Sequence, residues 1–266
     1  MTKKFISIFT ITILIGFIVY FYVTCKPIPS RSKAKAVNTQ VIQSNQEKYQ
    51  IVKHKYFTLA YSEEHEQPAW VCYTLRNEYV GGSEHRSNNF IPDPLVTSKT
   101  ADDIDYLKSG YDKGHMLPAA DMSWSPEAMK ETFYFSNISP QEPSFNRGAW
   151  KKLEEKVRDW AVKFDSVKVY VGPVFKNNIK RIGPDSVTVP GYYYKTIVIY
   201  FGSTYEGIGF IFPNKKVSDP IVNFAVSIDS VEHYSNLDFY KYLPNSIEEK
   251  VESSINLDLW GLSKTK

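Results

Sequence analysis

The stretch Gly110-Tyr111-Asp112-Lys113-Gly114-His115-Met116-Leu117-Pro118-Ala119-Ala120 is followed by Phe135-Ser136-Asn137-Ile138-Ser139-Pro140-Gln141, and then by Phe145-Asn146-Arg147-Gly148-Ala149-Trp150. The third segment opens the clearest helix of the chain. Trp150, Leu153, Val157, Trp160, Ala161 and Phe164 fall on one stripe, which predicts a helix over 150–164. His115, flanked by Gly114 and close to Lys113, is a candidate general base beside a phosphate-binding cation. A single histidine in a turn is more often structural. Asn146 is a natural N-cap for the helix, or else a neutral oxygen ligand to Mg²⁺, an ion that keeps several waters and needs few protein ligands. Glu154 and Arg158 stand one turn apart and suit an ordinary i, i+4 ion pair. Their functional alternative is a carboxylate that holds a metal-bound water and a guanidinium that grips phosphate.

Working outward, Ala69 to Leu75 reads as a strand, and Gly81-Gly82 ends the region after it. His85 to Pro94 is a polar loop. Pro126 to Phe133 reads as a short helix. Val167 to Phe175, Tyr194 to Phe201 and Gly207 to Phe212 are β-rich runs, Ile221 to Ile228 reads as a further strand, and Ser246 to Ser254 as a late helix. Strands and helices mix without a βαβ rhythm, so the expected class is α+β with an antiparallel sheet.

The 266 residues fit one large domain or two small ones. Uniform composition from Tyr49 to Leu262, without repeats, favours a single domain over 49–266. Hydrophobic residues at 42% against 23% charged exclude global disorder. Aromatics at 15% favour β-rich packing over a plain helical bundle. Two cysteines, Cys25 and Cys72, exclude a disulfide scaffold and a four-cysteine zinc site. The net charge of +3 excludes a polybasic chromatin-like protein. Locally, residues 163–216 carry eight Lys or Arg against three acids, and residues 217–266 carry eight acids against four bases. The basic middle reads as a solvated sheet face or as a track for a polyanion.

Lys3 and Lys4 precede 19 uncharged residues, Phe5 to Val23, long enough to span a bilayer. Residues 1–25 are therefore expected to be a signal anchor or a cleaved signal peptide, with lipid attachment at Cys25 a third reading. Residues 26–48 read as a polar tether. The bases after the segment oppose export of the carboxyl end, but a first apolar segment usually acts as an export signal. The expectation is a membrane-anchored or secreted protein with an extracytoplasmic domain.

Taken together, the spaced segments resemble the DNA/RNA non-specific endonucleases, the endonuclease G-like family with the ββα-metal fold. The family signature is Asp-Arg-Gly-His, then Ser-Asn before an apolar residue and Pro-Gln, then an Asn ahead of a Trp and a Leu-Glu pair. Here these are Asp112 to His115, Ser136 to Gln141, and Asn146 with Trp150 and Leu153-Glu154; the upstream element Arg86 to Pro94 is present as well. The match covers residues 69–216 and is closest over 86–160. The resemblance implies a ββα-metal fold with a central antiparallel sheet flanked by helices. It implies His115 as general base, Asn146 as the direct ligand of Mg²⁺ (or Mn²⁺), and Glu154 as the anchor of the metal's water shell. Arg86, Lys113 and Arg158 match phosphate-binding positions, and Asn137 matches a position that binds substrate or orients the region of His115. The partners implied are DNA and RNA, cleaved to 5′-phosphate and 3′-hydroxyl ends, and a second copy of the chain as a homodimer.

Lys113 stands where the family has Arg, a point charge in place of a bidentate fork. This motivates a rival reading, a catalytically weak nucleic-acid-binding or DNA-uptake protein on the same fold. The absence of His-Glu-x-x-His and Gly-x-Ser-x-Gly speaks against a zinc protease or a serine hydrolase. Asn146 and Glu154 are eight residues apart, about 12 Å along a straight helix, which is long for two groups sharing one hydrated ion. Residues 146–148 are therefore expected to depart from regular helix, with Gly148 permitting the bend.

Overall fold

A computed structural model describes residues 48–175, 180–201 and 204–263. The strands are, in chain order, β1 (Gln50–Lys53), β2 (Phe57–Ser62), β3 (Gln67–Arg76), β4 (Asp112–His115), β5 (Ile138–Gln141), β6 (Ser166–Val174), β7 (Arg181–Ile182), β8 (Val187–Thr188), β9 (Tyr192–Phe201), β10 (Thr204–Pro213) and β11 (Ala225–Val226). The helices are α1 (Asp103–Tyr106), α2 (Pro126–Glu131), α3 (Lys151–Phe164), α4 (Ile228–Ser235) and α5 (Asn245–Ser253). Seven strands form one sheet in the order β1-β2-β3-β6-β9-β10-β11, antiparallel at every step. The α+β class with a central antiparallel sheet flanked by helices is what the sequence predicts.

The sheet is covered on both faces, so its central strands carry near-continuous apolar runs rather than an alternation of apolar and polar residues. The period of two still sorts the side chains. Val71, Tyr73, Val169, Val171, Tyr193, Ile197, Ile208 and Phe210 enter the larger core with Leu153, Val157, Trp160 and Phe164 of α3. Tyr194 and Val198 enter a second core with Ile228, Val231 and Val251 from α4 and α5. Helix α3, on the side of the larger core, carries Glu154 and Arg158.

Strands β4 and β5 make a separate antiparallel ribbon that pairs Asp112 with Gln141 and His115 with Ile138. Gly114 lies where a Cβ would overlap the Gln141 side chain, so the glycine of one motif and the glutamine of the next are steric complements. From Gln141 the chain turns at Glu142, whose carboxylate accepts the Phe145 amide at 2.8 Å. Residues Pro143–Phe145 make one helical turn, residues Asn146–Trp150 widen into a π-helical turn, and α3 continues from Lys151. The predicted departure from regular helix is present, and the space beside Gly148 is open. The sequence β4, β5, α3 supplies the two strands and one helix of the expected motif.

Two expectations change. Ile221 to Ile228 is not one strand. Ile221–Phe224 form a 3₁₀ turn that packs apolar side chains on the larger core, only Ala225–Val226 pair with β10, and Ser227 caps α4 by accepting the Ser230 amide at 3.2 Å. The basic stretch is not a uniform solvated face, because Lys195 in its middle is fully buried; Lys176 lies outside the described residues. The expected signal anchor and nearly all of the tether also lie outside them. No helix among the described residues is long and apolar enough to cross a membrane.

Candidate active site

The loop after β3 is fastened to the end of α2. The Ile91 amide donates to Phe133 O at 3.2 Å and the Phe135 amide donates to Ile91 O at 3.0 Å. Buried Asp93 accepts the Ser136 hydroxyl and lies 2.8 Å from His54 Nε2. This Ser–Asp–His group is not a hydrolase triad, since the hydroxyl donates to the carboxylate instead of facing the imidazole. It instead locks the upstream element onto the Ser136-Asn137 segment. Asn137 is fully buried: its Oδ1 accepts the Leu117 amide at 2.9 Å, and its Nδ2 donates to Leu117 O and Thr132 O. A substrate contact by Asn137 is therefore corrected. The carboxamide is spent on backbone and fixes the chain just after His115.

Side chains alternate along β4, so Lys113 and His115 share one side. His115 sits 5.5 Å from the Phe90 ring and 5.0 Å edge-on from the Phe133 ring. Lys113 Nζ lies 4.1 Å from the Phe90 centroid and donates to Asp103. The Arg86 guanidinium lies 5.5 Å from the Phe133 centroid, on an exposed side chain steadied by Asn88 at 2.6 Å. Two aromatic rings thus hold the imidazole between two cations. His115 Nε2 is buried and has no hydrogen-bond partner among the described residues. Burial, then the charges of Arg86 and Lys113, push its pKa down to about 3, so the ring is neutral at pH 7 with a nitrogen able to accept a proton.

Asp112 opens the same strand. Its Oδ2 accepts Asn146 Nδ2 at 2.9 Å, and the carboxylate takes a two-pronged pair from Arg147 at 2.8 and 2.6 Å. Asn146 is thus not an N-cap; Glu142 caps the helical turn instead. With its amino group held by Asp112, the amide orientation is set and Oδ1 stays available as an acceptor. A hard, neutral oxygen suits a divalent ion that keeps most of its waters. Asn146 is bonded to Asp112, three residues or about 10 Å of strand from His115.

Glu154 and Arg158 do not form the i, i+4 pair. Arg158 Nη1 donates to fully buried Asp121 at 2.8 Å, and Tyr73 donates to the other Asp121 oxygen at 3.0 Å. Glu154 keeps a partly open surface and accepts no hydrogen bond among the described residues. Burial lifts its pKa to about 7 against the opposing charge of Lys195, with Asp121 adding to the rise and Arg158 and Arg86 reducing it. The positive charge of Arg86 lowers the pKa of both His115 and Glu154.

Residues 34–246 match the family model for the DNA/RNA non-specific endonucleases. The chain belongs to that family. The matched range starts inside the stretch read as a tether. Among curated relatives, the mitochondrial nuclease EXOG of Danio rerio is 37% identical over 202 residues, covering 70% of this chain and 59% of that protein. Mitochondrial endonuclease G of Bos taurus is 34% identical over 198 residues, covering 69% of this chain and 66% of that one. The chain thus spans roughly three-fifths of the length of these relatives. A chain in the crystal structure of the EndoG/EndoGI complex superposes with a TM-score of 0.70 at 28% identity, covering 80% of this chain and 96% of that chain.

Of the residues singled out from the sequence, His115, Lys113 and Arg86 meet around Phe90 and Phe133, Asn146 is tied to Asp112 of the same strand, Arg158, one helical turn from Glu154, pairs with Asp121, and Asn137 is withdrawn into the scaffold. Sequence reading missed Asp112, Asp121, Tyr73 and Lys195 as parts of the site. Asp112 was legible as the first residue of its motif. The other three sit in apolar or helical contexts with no local signal of their partners.

Proposed function

We propose that this chain is a divalent-metal-dependent endonuclease that hydrolyses phosphodiester bonds of DNA and RNA without regard to sugar or sequence. The observation that carries the reading is His115 Nε2, buried without a hydrogen-bond partner among the described residues, between Arg86 and Lys113 and on the strand whose Asp112 aims Asn146. Asn146 Oδ1 would hold Mg²⁺ or Mn²⁺ directly and Glu154 would hold it through water. When bound, such an ion supplies charge that polarises the phosphoryl group.

The chain's own residues do the rest. Arg86, Lys113 and the remaining N–H groups of Arg158 hold non-bridging phosphate oxygens, contacts that carry no base information. His115 Nε2 takes a proton from the attacking water as the water oxygen bonds to phosphorus. The bond from phosphorus to the 3′ oxygen breaks, the departing alkoxide takes a proton from solvent, and the products carry 5′-phosphate and 3′-hydroxyl ends. A phosphodiester between the two cations offsets the charges that depress His115, so the imidazole becomes more basic when substrate is present. General-base help of this kind contributes ~10²–10⁴-fold.

Plasmid DNA and a structureless RNA incubated with Mg²⁺ should both be cut, and EDTA or His115→Ala should abolish cutting. Cleavage by His115→Ala at the original rate would remove the general-base assignment. The second reading, a weakly catalytic binding or DNA-uptake protein, draws on Lys113, whose ammonium is engaged by Asp103. DNA retention without cleavage in the same assay would select it. Membrane-anchored or secreted placement rests on Phe5 to Val23 and is tested by fractionation; a homodimer is tested by light scattering.

A further inference from the structure

Lys195 lies in the middle of β9, opposite Val171 on β6 and Phe210 on β10. Its neighbours on the same face, Tyr193 and Ile197, are fully buried in the core beneath α3, and Lys195 is fully buried with them. Its Nζ has no hydrogen-bond partner among the described residues and lies 4.6 Å from the Trp150 centroid. A buried ammonium is costly unless an opposite charge compensates it. Two carboxylates act on this one, Glu154 and Asp121. Asp121 is already matched by Arg158 and Tyr73, whereas Glu154 accepts no hydrogen bond among the described residues. Asp121 and Arg158 make a direct ion pair, while no ion pair among the described residues joins Lys195 to Glu154; Glu154 follows Trp150 by one helical turn, on the face whose Trp150 ring lies 4.6 Å from Lys195 Nζ.

We propose that Lys195 is a positioning residue for the reaction, the standing counter-charge that holds the Glu154 carboxylate from the sheet side. Its ammonium also packs on Trp150, the last residue of the π-helical turn that begins at Asn146. One buried cation therefore braces both groups assigned to the metal. Sealed from solvent, Nζ does not reach the nucleic acid. The proposal rests on the reading of Glu154 given under Proposed function. It separates Lys195 from Arg86, Lys113 and Arg158, which act on phosphate.

The test uses the full chain as wild type, Lys195→Met, Glu154→Gln and the double variant, with three readouts. With Mg²⁺ and plasmid DNA, Lys195→Met should lower kcat by roughly 10- to 100-fold, the range that a ~1 Å misplacement costs, with KM little changed. In the Glu154→Gln background the same change should have almost no further effect. In EDTA, affinity for a short DNA duplex should be the same in wild type and Lys195→Met. In EDTA, Glu154→Gln should lower the melting temperature of wild type, where it strands the buried ammonium, and should raise that of the Lys195→Met chain, where the carboxylate has lost its cation. If Lys195→Met alone does not fold, the double variant should recover a folded chain. Equal kcat losses in both backgrounds, weakened duplex binding, additive melting shifts, or a double variant no better folded than the single would each overturn the proposal. The melting cycle needs no cleavage, so it judges the pair even if the wild type proves inactive.

Discussion

Replacing Asp112 by Asn tests the most specific piece of geometry in the site. The Asp112 carboxylate accepts Asn146 Nδ2 at 2.9 Å and leaves Asn146 Oδ1 as the free end of the amide. An Asn at 112 offers both a donor and an acceptor, so the Asn146 amide can face either way, and one of the two orientations presents NH₂ where an ion needs oxygen. The Asp112 side chain is only 16% exposed, so this contact keeps the ordinary strength of a hydrogen bond to a charged group, about 1.5–3 kcal/mol. At 1.4 kcal/mol per factor of ten, that is about 10- to 100-fold in metal affinity, which agrees with the usual cost of losing a group that orients a ligand. The Arg147 arm of the pair is 72% exposed and adds little. A titration of plasmid relaxation against Mg²⁺ should show the half-activating concentration rising by about that factor, with kcat at saturating ion much less affected and the melting temperature nearly unchanged. An unchanged half-activating concentration would refute the claim that Asp112 aims the Asn146 oxygen.

Three further outcomes follow from the same structure. Gly114→Ala places a methyl group against the enclosed Gln141 side chain, so it should lower the melting temperature and cleavage together, and Gln141→Ala in that background should recover part of both. Asp121→Ala strips the counter-charge from half-buried Arg158 and should cost about 3–5 kcal/mol in urea unfolding, while Asp121→Asn should cost less. The pKa of His115 falls from 6.5 in the unfolded chain to about 3 in the fold. The unfolded chain binds the extra proton between those values, so stability rises with pH across that window and is lost as pH falls through it. His115→Gln should make acid unfolding shallower between pH 6.5 and 3; an identical acid profile would contradict the buried, neutral imidazole.

The buried charge cluster also explains why a catalytic face sits on a sheet that is otherwise apolar. Tyr73 from β3, Lys195 from β9 and Asp121 from the segment after β4 meet beneath α3. Each is expensive alone in a low-dielectric core. Together they form an arrangement whose partners hold Arg158 and Glu154 in place, so residues far apart in the chain share one electrostatic task.

Much of this protein was readable from residue order. The Trp150 to Phe164 stripe specifies a helix because its period of 3.6 survives any context. The runs around Tyr73, Val169, Tyr194 and Phe210 specify strands because β-branched and aromatic residues suit a sheet covered on both faces. The spaced segments from Asp112 to Glu154 named the residues proposed to carry the chemistry, since reaction chemistry restricts which side chains serve. Residue order also exposed the eight-residue gap between Asn146 and Glu154, and with it the need for an irregular turn. The partners of those residues came only from tertiary structure. Asn146 reads as a cap until Asp112 takes its amide, Arg158 reads as the mate of Glu154 until Asp121 claims it, and Lys195 reads as one more surface base until β9 buries it. The physical reason is range: periodicity and capping act over a few residues and leave local marks, whereas burial and charge pairing depend on which strand lies beside which, and that is decided only when the sheet closes under α3.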